Sequence, residues 1–348
     1  MRPNKPDPDV PDDLFRARLS QQLDMRHPLV RLAGLIDWDV FEARFGELYH
    51  PQVGRPGVPI RLMVGLSYLQ HTYALSDEEV VARWVENPYW QYFCGFDYLQ
   101  LALPIDPSSL VRWRQRIGQE GMELLLQETI AAATRAKAVK AQSLERVSVD
   151  TTAQPKAIAH PLDSRLYHRG REILVRLAQR HGVPLRQSYA RLGKRTLRLA
   201  NRYAHARQTK RARREIKRLK TYLGRVFRDV RRKIEGRPEV ATQFAEALAR
   251  VERLLAQQRT DKNKLYALHA PEVACIAKGK AHKKYEFGAK ISVAVTNREG
   301  LVVGMQSHPG NPYDGQTLTP ALVQVERLTG MAPRRRTRGR GWRRPRRP

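Results

Sequence analysis

Apolar residues recur at helical spacing from Leu14 to about Gly118, in short runs separated by tight turns. After the turn cluster Gly54-Arg55-Pro56-Gly57-Val58-Pro59, the stripe Ile60, Met63, Val64, Leu66, Tyr68 and Leu69 predicts a buried helix. Ser76-Asp77-Glu78-Glu79 has the form of a capping box, in which Ser76 caps and Glu79 answers three residues on. The helix it opens buries Val80, Val81, Trp84 and Val85 and stops at Asn87-Pro88, because proline disfavours helix at the residue before it. A third helix holds Tyr89, Tyr92 and Phe93 and closes at Gly95. Asp106-Pro107-Ser108-Ser109 starts a fourth, which carries Arg112, Trp113, Arg114 and Arg116. A long helix is predicted from about Gly118 to Lys140.

The period then changes. Val147 and Val149 alternate with polar residues, as strands do, and Asp150 is expected at or just past that strand's end. Residues from about 160 to 260 read as helical again, with the stripe Leu223, Val226, Phe227, Val230 and Ile234. Gly236-Arg237-Pro238 breaks it, and Ala241 to Gln258 form a partner helix, so a helical hairpin is expected between strands. Tyr285 to Thr296 alternates strongly. Asn297-Arg298-Glu299-Gly300 is a hairpin turn with glycine where φ must be positive, and Leu301 to His308 is the return strand. Pro309-Gly310-Asn311-Pro312 is a loop, and Thr317 to Leu328 a helix ended by Gly330. Residues 1–13 are a flexible lead-in. Residues 334–348 hold one apolar residue, Trp342, and no acid, a composition that predicts a disordered tail without strand or packed helix.

Charge narrows the partner class. Lys and Arg outnumber Asp and Glu by 64 to 34 in 348 residues, a formal net charge of +30. Such an excess repels itself unless a polyanion neutralises it, and nucleic acid is the obvious one. Short helices with an arginine-bearing last member suggest a helix-turn-helix-like reader using Arg112, Arg114 and Arg116. A small bundle with a solvated basic face is the other reading. The same two readings apply to Arg211, Arg213, Arg214 and Lys217, where the sign bias favours contact with a DNA backbone. Cys94 and Cys275 lie far apart and have no partner motif, and His160, His269, His282 and His308 do not fall at zinc-ligand spacing. No phosphate-cradling GxxxxGK[ST] loop is present. The sequence has no run of eighteen apolar residues and no signal-peptide core, so no membrane partner and a cytoplasmic, nucleoid-associated protein are expected.

Three blocks sharpen this. One is Val147-Ser148-Val149-Asp150-Thr151-Thr152 with Pro155-Lys156-Ala157-Ile158 and His160-Pro161-Leu162-Asp163-Ser164. The second is His269-Ala270-Pro271-Glu272-Val273 with Lys278-Gly279-Lys280-Ala281-His282 and Tyr285-Glu286-Phe287-Gly288. The third is Pro309-Gly310-Asn311-Pro312-Tyr313-Asp314-Gly315-Gln316-Thr317-Leu318. Together they resemble the DDE-type transposases of the insertion-sequence-five family, over nearly the whole chain to about Pro333. Residues 54 to 118 resemble that family's DNA-binding domain.

The resemblance implies an α+β or α/β fold. A helical DNA-binding domain (residues 14–140) would precede an incomplete ribonuclease-H-like domain (145–333) with a helical insertion at about 160–260. It implies a partner, double-stranded DNA (transposon terminal repeats and target DNA), with self-association on that DNA. It also implies a chemistry, in which three carboxylates hold two Mg²⁺ or Mn²⁺ ions for strand cutting and joining. Asp150 matches the first carboxylate and the first metal ligand. Asp314 lies in a family block, but before a helix, where an acid is stabilising in any case, and it reads first as structural or substrate-positioning. The family's second carboxylate lies on a strand after Gly330 and its third on a later helix, and this chain shows neither. After Asp314 the only acid is Glu326. The expectation is therefore a truncated or frameshifted copy that does not catalyse alone, with an unpaired sheet edge beside the first strand. The metal would enter only if the site were completed. The alternative function is a non-catalytic DNA-binding repressor of transposition.

Overall fold

The structure is a computed structural model. It describes Arg2, residues 16–50, 57–258, 260, 261, 263–277 and 285–333, and the backbone of 335–338. The lead-in (Arg2 apart), the first part of the turn cluster at 54–56, the block at 278–282 and the last ten residues lie outside the described residues.

The chain divides into two compact units. The first begins with α1 (Leu19–Gln22), α2 (Pro28–Leu35), α3 (Trp38–Gly46), α4 (Ile60–Tyr73), α5 (Asp77–Glu86), α6 (Pro88–Phe93), α7 (Ser108–Arg135) and α8 (Ala141–Leu144). Their apolar stripes meet in one core around Phe41, Phe45, Ile60, Leu66, Trp84, Phe93, Leu110 and Trp113. Local chemistry sets the helix ends. The Ser76 hydroxyl accepts from the Glu79 amide at 3.2 Å and the Glu79 carboxylate accepts from the Ser76 amide at 2.9 Å, which is the predicted capping box. The Asn87 side chain accepts from the amides of Tyr89 and Trp90, so one residue ends α5 and starts α6. The two helices expected to meet at Gly118 do so through a kink inside α7, where Gly118 takes φ 59. The second of them stops at Arg135, short of the expected Lys140, and Lys137 takes φ 56 just beyond it.

β1 (Arg146–Pro155) follows, and then the helices that make up most of the second unit: α9 (Asp163–Arg180), α10 (Ala190–His205), α11 (Thr209–Ile234) and α12 (Pro238–Ala256). The sequence suggests a two-helix hairpin here, whereas the structure has four helices. Val183-Pro184 and the left-handed Arg207 (φ 57) supply the extra breaks. α11 is the central rod of this array. Its residues Leu219, Leu223, Val226 and Val230 pack with Leu174, Phe244, Val251 and Leu254 from α9 and α12.

The remaining elements are β2 (Ala274–Ala277), β3 (Tyr285–Thr296), β4 (Val302–His308), α13 (Asp314–Thr329) and β5 (Arg335–Arg338). The strands form a sheet in the order β2-β3-β1-β5, with β4 paired to β3. β2 and β3 are antiparallel, and β3 turns into β4 at Gly300 (φ 70), as expected. The molecule is thus a mixed α+β protein with many helices and one small sheet.

Two expectations about the sheet need correction. Asp150 does not end its strand. β1 continues for five residues, through the β-branched Thr151 and Thr152, to Pro155. The continuation is possible because β3 presents Gly288 there: a Cβ on Gly288 would lie 1.9 Å from the Gln154 carbonyl oxygen. The edge of β1 is also not bare. Arg335 to Arg338 pair parallel with Arg146 to Val149. The arginine-rich composition misled on this point, because a ladder is built from backbone N–H and C=O groups that arginine carries like any residue.

Candidate functional site

β1 alternates two environments. Val147 and Val149 are buried while Asp150 is exposed, so the strand seats its apolar residues and presents one carboxylate. The next residue, Thr151, donates its hydroxyl to Asp314 Oδ1 at 2.9 Å. Asp314 opens α13 and is ion-paired with Lys290 Nζ at 2.5 Å. The same ammonium donates to the Pro312 carbonyl at 2.7 Å, which ties the Pro309–Pro312 loop to β3. The Asp314 carboxylate is thereby neutralised by an ammonium in a half-buried site, and it holds the start of its helix in place.

Sequence reasoning did not single out Lys290. The signal was its parity: Glu286, Gly288, Lys290, Ser292, Ala294 and Thr296 form the more buried face of β3, with Ile291, Val293 and Val295 on the other. A lysine on a strand's buried face needs a counter-charge, and Asp314 provides it. Beside it, Ser292 Oγ and His308 Nε2 are 2.9 Å apart in the interior. Burial and the Lys290 charge both hold the His308 imidazole below its ordinary pKa, so it stays neutral.

The arginines of the fourth predicted helix have different fates in α7. Arg114 binds Asp77 with two hydrogen bonds of 2.8 and 2.6 Å and also reaches Gln70. That pair ties α7 to the start of α5, and the guanidinium holds the Asp77 carboxyl below the usual range. Arg112 is exposed, hydrogen-bonds Ser108 and Ser109 at its own helix start, and its charge also acts on Asp106. Arg116 is exposed and lies over the Tyr49 ring, 4.5 Å from its centroid. Arg112 and Arg116 border one open concavity with Tyr49, Ile105 and Trp113.

On α11, Arg211, Arg213, Arg214 and Lys217 are all exposed along the first half of the helix. Arg211 hydrogen-bonds Gln208 at 3.1 Å and lies over Tyr203. Among the described residues, the side chains of Arg213, Arg214 and Lys217 have no hydrogen-bond or ion-pair partner. The opposite face carries the core residues Ala212 and Leu219 and the buried Glu215, which pairs with Arg218.

Hard divalent ions need several oxygen donors converging on one point. Among the described residues no group of three or more Asp, Glu, His or Cys is placed to hold a metal. Asp314 is committed to Lys290, Glu272 to Lys156, and Glu326 is exposed on α13. The described side chains therefore do not fit a two-metal centre, and no step is derived through one.

Residues 17–116, from α1 into the first part of α7, match the family described as "Transposase domain (DUF772)". The chain is also similar to "Uncharacterized protein ORF8 in nfe locus" of Rhizobium meliloti. The two are 57% identical over 208 residues, which is 60% of this chain and the whole of that protein. No solved structure matches. The chain belongs to the same family as the Rhizobium meliloti protein and carries a transposase domain, which gives it a transposition-related role and an association with DNA. Among the described residues no helix is long and apolar enough to cross a membrane.

Proposed function

We propose that this chain is a DDE-type transposase relative of the insertion-sequence-five kind that binds the ends of its element and does not cut DNA on its own. The observation that carries the binding half is the match of residues 17–116 to a transposase domain whose Arg112 and Arg116 remain exposed beside one concavity. The unpaired row Arg213, Arg214 and Lys217 adds a sequence-independent grip on backbone phosphates. Arg114 acts as framework, since its charge is satisfied by Asp77. The non-cutting half rests on the carboxylates. Asp150, exposed on β1, is the residue that the resemblance matches to the first carboxylate, but Asp314 and Glu272 are paired with lysines, Glu286 is buried within β3 and Glu326 is exposed on α13. Such a protein would occupy element ends and repress an intact copy.

The test is a labelled element-end duplex in Mg²⁺ or Mn²⁺, read both by gel shift and by strand cleavage. A shift without cleavage is expected. Cleavage by the native chain that disappears in Asp150→Ala would overturn the non-cutting reading.

A further inference from the structure

The α9–α12 array contains a second cationic feature, at the other end of α11 from Arg213 and Lys217. An open concavity of about 500 Å³ lies between the last two turns of α11 and the segment that leads into α10. Its rim carries Arg186, Arg225, Arg228, Arg231 and Arg232, against only two acids, Asp229 and Glu235.

The segment is built into place. Buried Asp229 accepts from the Arg186 amide at 2.8 Å and is itself paired with Arg232 and Lys233, so it is already neutralised within the fold. Tyr189 takes the left-handed backbone conformation (φ 53), which a residue with a side chain adopts only under strain. It is held there by stacking on Tyr222 at 4.7 Å and by its hydroxyl, which accepts from Arg225 at 3.2 Å. A strained residue so fixed, at the rim of a concavity, marks a position where geometry is being maintained. Arg231 has a partner in Glu252. Among the described residues, the guanidinium groups of Arg186 and Arg228 have no partner at all.

Unpaired like charges converging on a fixed concavity repel one another until an anion joins them. Planar guanidinium forks match the oxygens of a phosphodiester, and several together match a run of them. We infer that this concavity is a phosphate-binding pocket that seats a DNA backbone, as a docking point separate from both the α7 arginines and the first half of α11. The inference rests on the reading of the chain as a DNA-binding protein.

The test uses the full chain, a labelled element-end duplex and an arginine-selective dicarbonyl reagent, with modification mapped by mass spectrometry. Bound duplex is expected to protect Arg186, Arg225 and Arg228 while leaving exposed Arg26 reactive. The double variant Arg186→Glu/Arg228→Glu alters two exposed side chains and is expected to keep the native melting temperature. It should weaken duplex binding about tenfold or more, and lower the slope of log K against log salt by about 2, one unit per lost phosphate contact. Arg228→Lys should recover part of the affinity. Duplex binding that leaves the pocket arginines reactive and is unchanged in the double variant would overturn the inference while leaving the DNA-binding reading intact. If the native chain binds no duplex, that reading fails, and inorganic pyrophosphate becomes the probe. Protection of Arg186 and Arg228 by it would still support a phosphate pocket, and no protection would overturn it.

Discussion

The transposase domain and the α9–α12 array are both rich in arginine but use it in opposite ways. In the first, some cations are absorbed by the fold: Arg114 binds Asp77 and Arg61 lies over Trp38. In the second, the apolar stripe of α11 is packed while Arg213, Arg214, Lys217 and Arg228 face outward without partners among the described residues. A net charge of +30 is therefore not an interface. The informative quantity is which cations have already found an anion, because only the rest gain by meeting a phosphate.

Reversing the charge of unpaired cations should break this comparison most visibly. The triple variant Arg213→Glu/Arg214→Glu/Lys217→Glu should weaken binding to an element-end duplex about 100-fold, with a salt slope shallower by about 3. Its unfolding midpoint should stay near native, since among the described residues these side chains make no hydrogen bond or ion pair. A collapse in stability with unchanged affinity would reverse the assignment of this face.

The complementary change is Arg114→Ala. It removes two charge-assisted hydrogen bonds and leaves Asp77 underpaired, which should cost about 2 kcal/mol in urea unfolding. Asp77's lowered pKa means the pair's stabilisation is complete above its unfolded value of 3.8 and is lost as pH falls through the lower folded value. Arg114→Ala should reduce that acid-side loss, leaving the part that the Gln70 hydrogen bond to Asp77 supplies. The duplex salt slope should be unaffected. A slope lower by a full unit would show that Arg114 reaches phosphate despite its partner.

These two regions also show what sequence can reveal. The capping box at Ser76, the stop at Asn87-Pro88 and the stripe of α11 are local patterns, and each appears as read. What escaped was non-local. Nothing near Arg114 announces Asp77, 37 residues away, and nothing near Lys290 announces Asp314. β5 escaped for a different reason: Arg335–Arg338 are recruited by the backbone of β1, to which side-chain composition is a poor guide. Asp150 was legible as a strand carboxylate, but its place in mid-strand depended on Gly288 of β3 making room for Gln154.

A smaller effect sharpens the local half of that statement. Ser76→Ala removes one half of the capping box and should cost about 1 kcal/mol. It should lower the unfolding midpoint without touching the duplex salt slope, as Arg114→Ala does. An intact midpoint would mean that core packing at Val80, Val81 and Trp84 alone fixes the start of α5.

The smallest expected effect concerns the buried Lys290 and the neighbour whose charge it influences. His308 is kept neutral first by burial and then by the Lys290 ammonium, while its Nε2 meets the Ser292 hydroxyl at 2.9 Å. Its folded pKa lies below the ordinary 6.5, so the unfolded chain takes up the proton first as pH drops. The native state is favoured fully above about pH 6.5 and loses that advantage as pH falls toward the lowered folded value. This window lies above the one set by Asp77, so the two can be separated in a single pH series. Urea midpoints compared at about pH 7.5 and about pH 5.5 should fall for the native chain and fall less for His308→Gln, whose amide can still bond Ser292 but carries no titrating proton. Lys290→Met should not restore the midpoint at low pH, because it also strips Asp314 of its partner. If His308→Gln showed the full native loss, the acid sensitivity would belong to another group, and Lys290 would be paired with Asp314 without governing the charge of its neighbour.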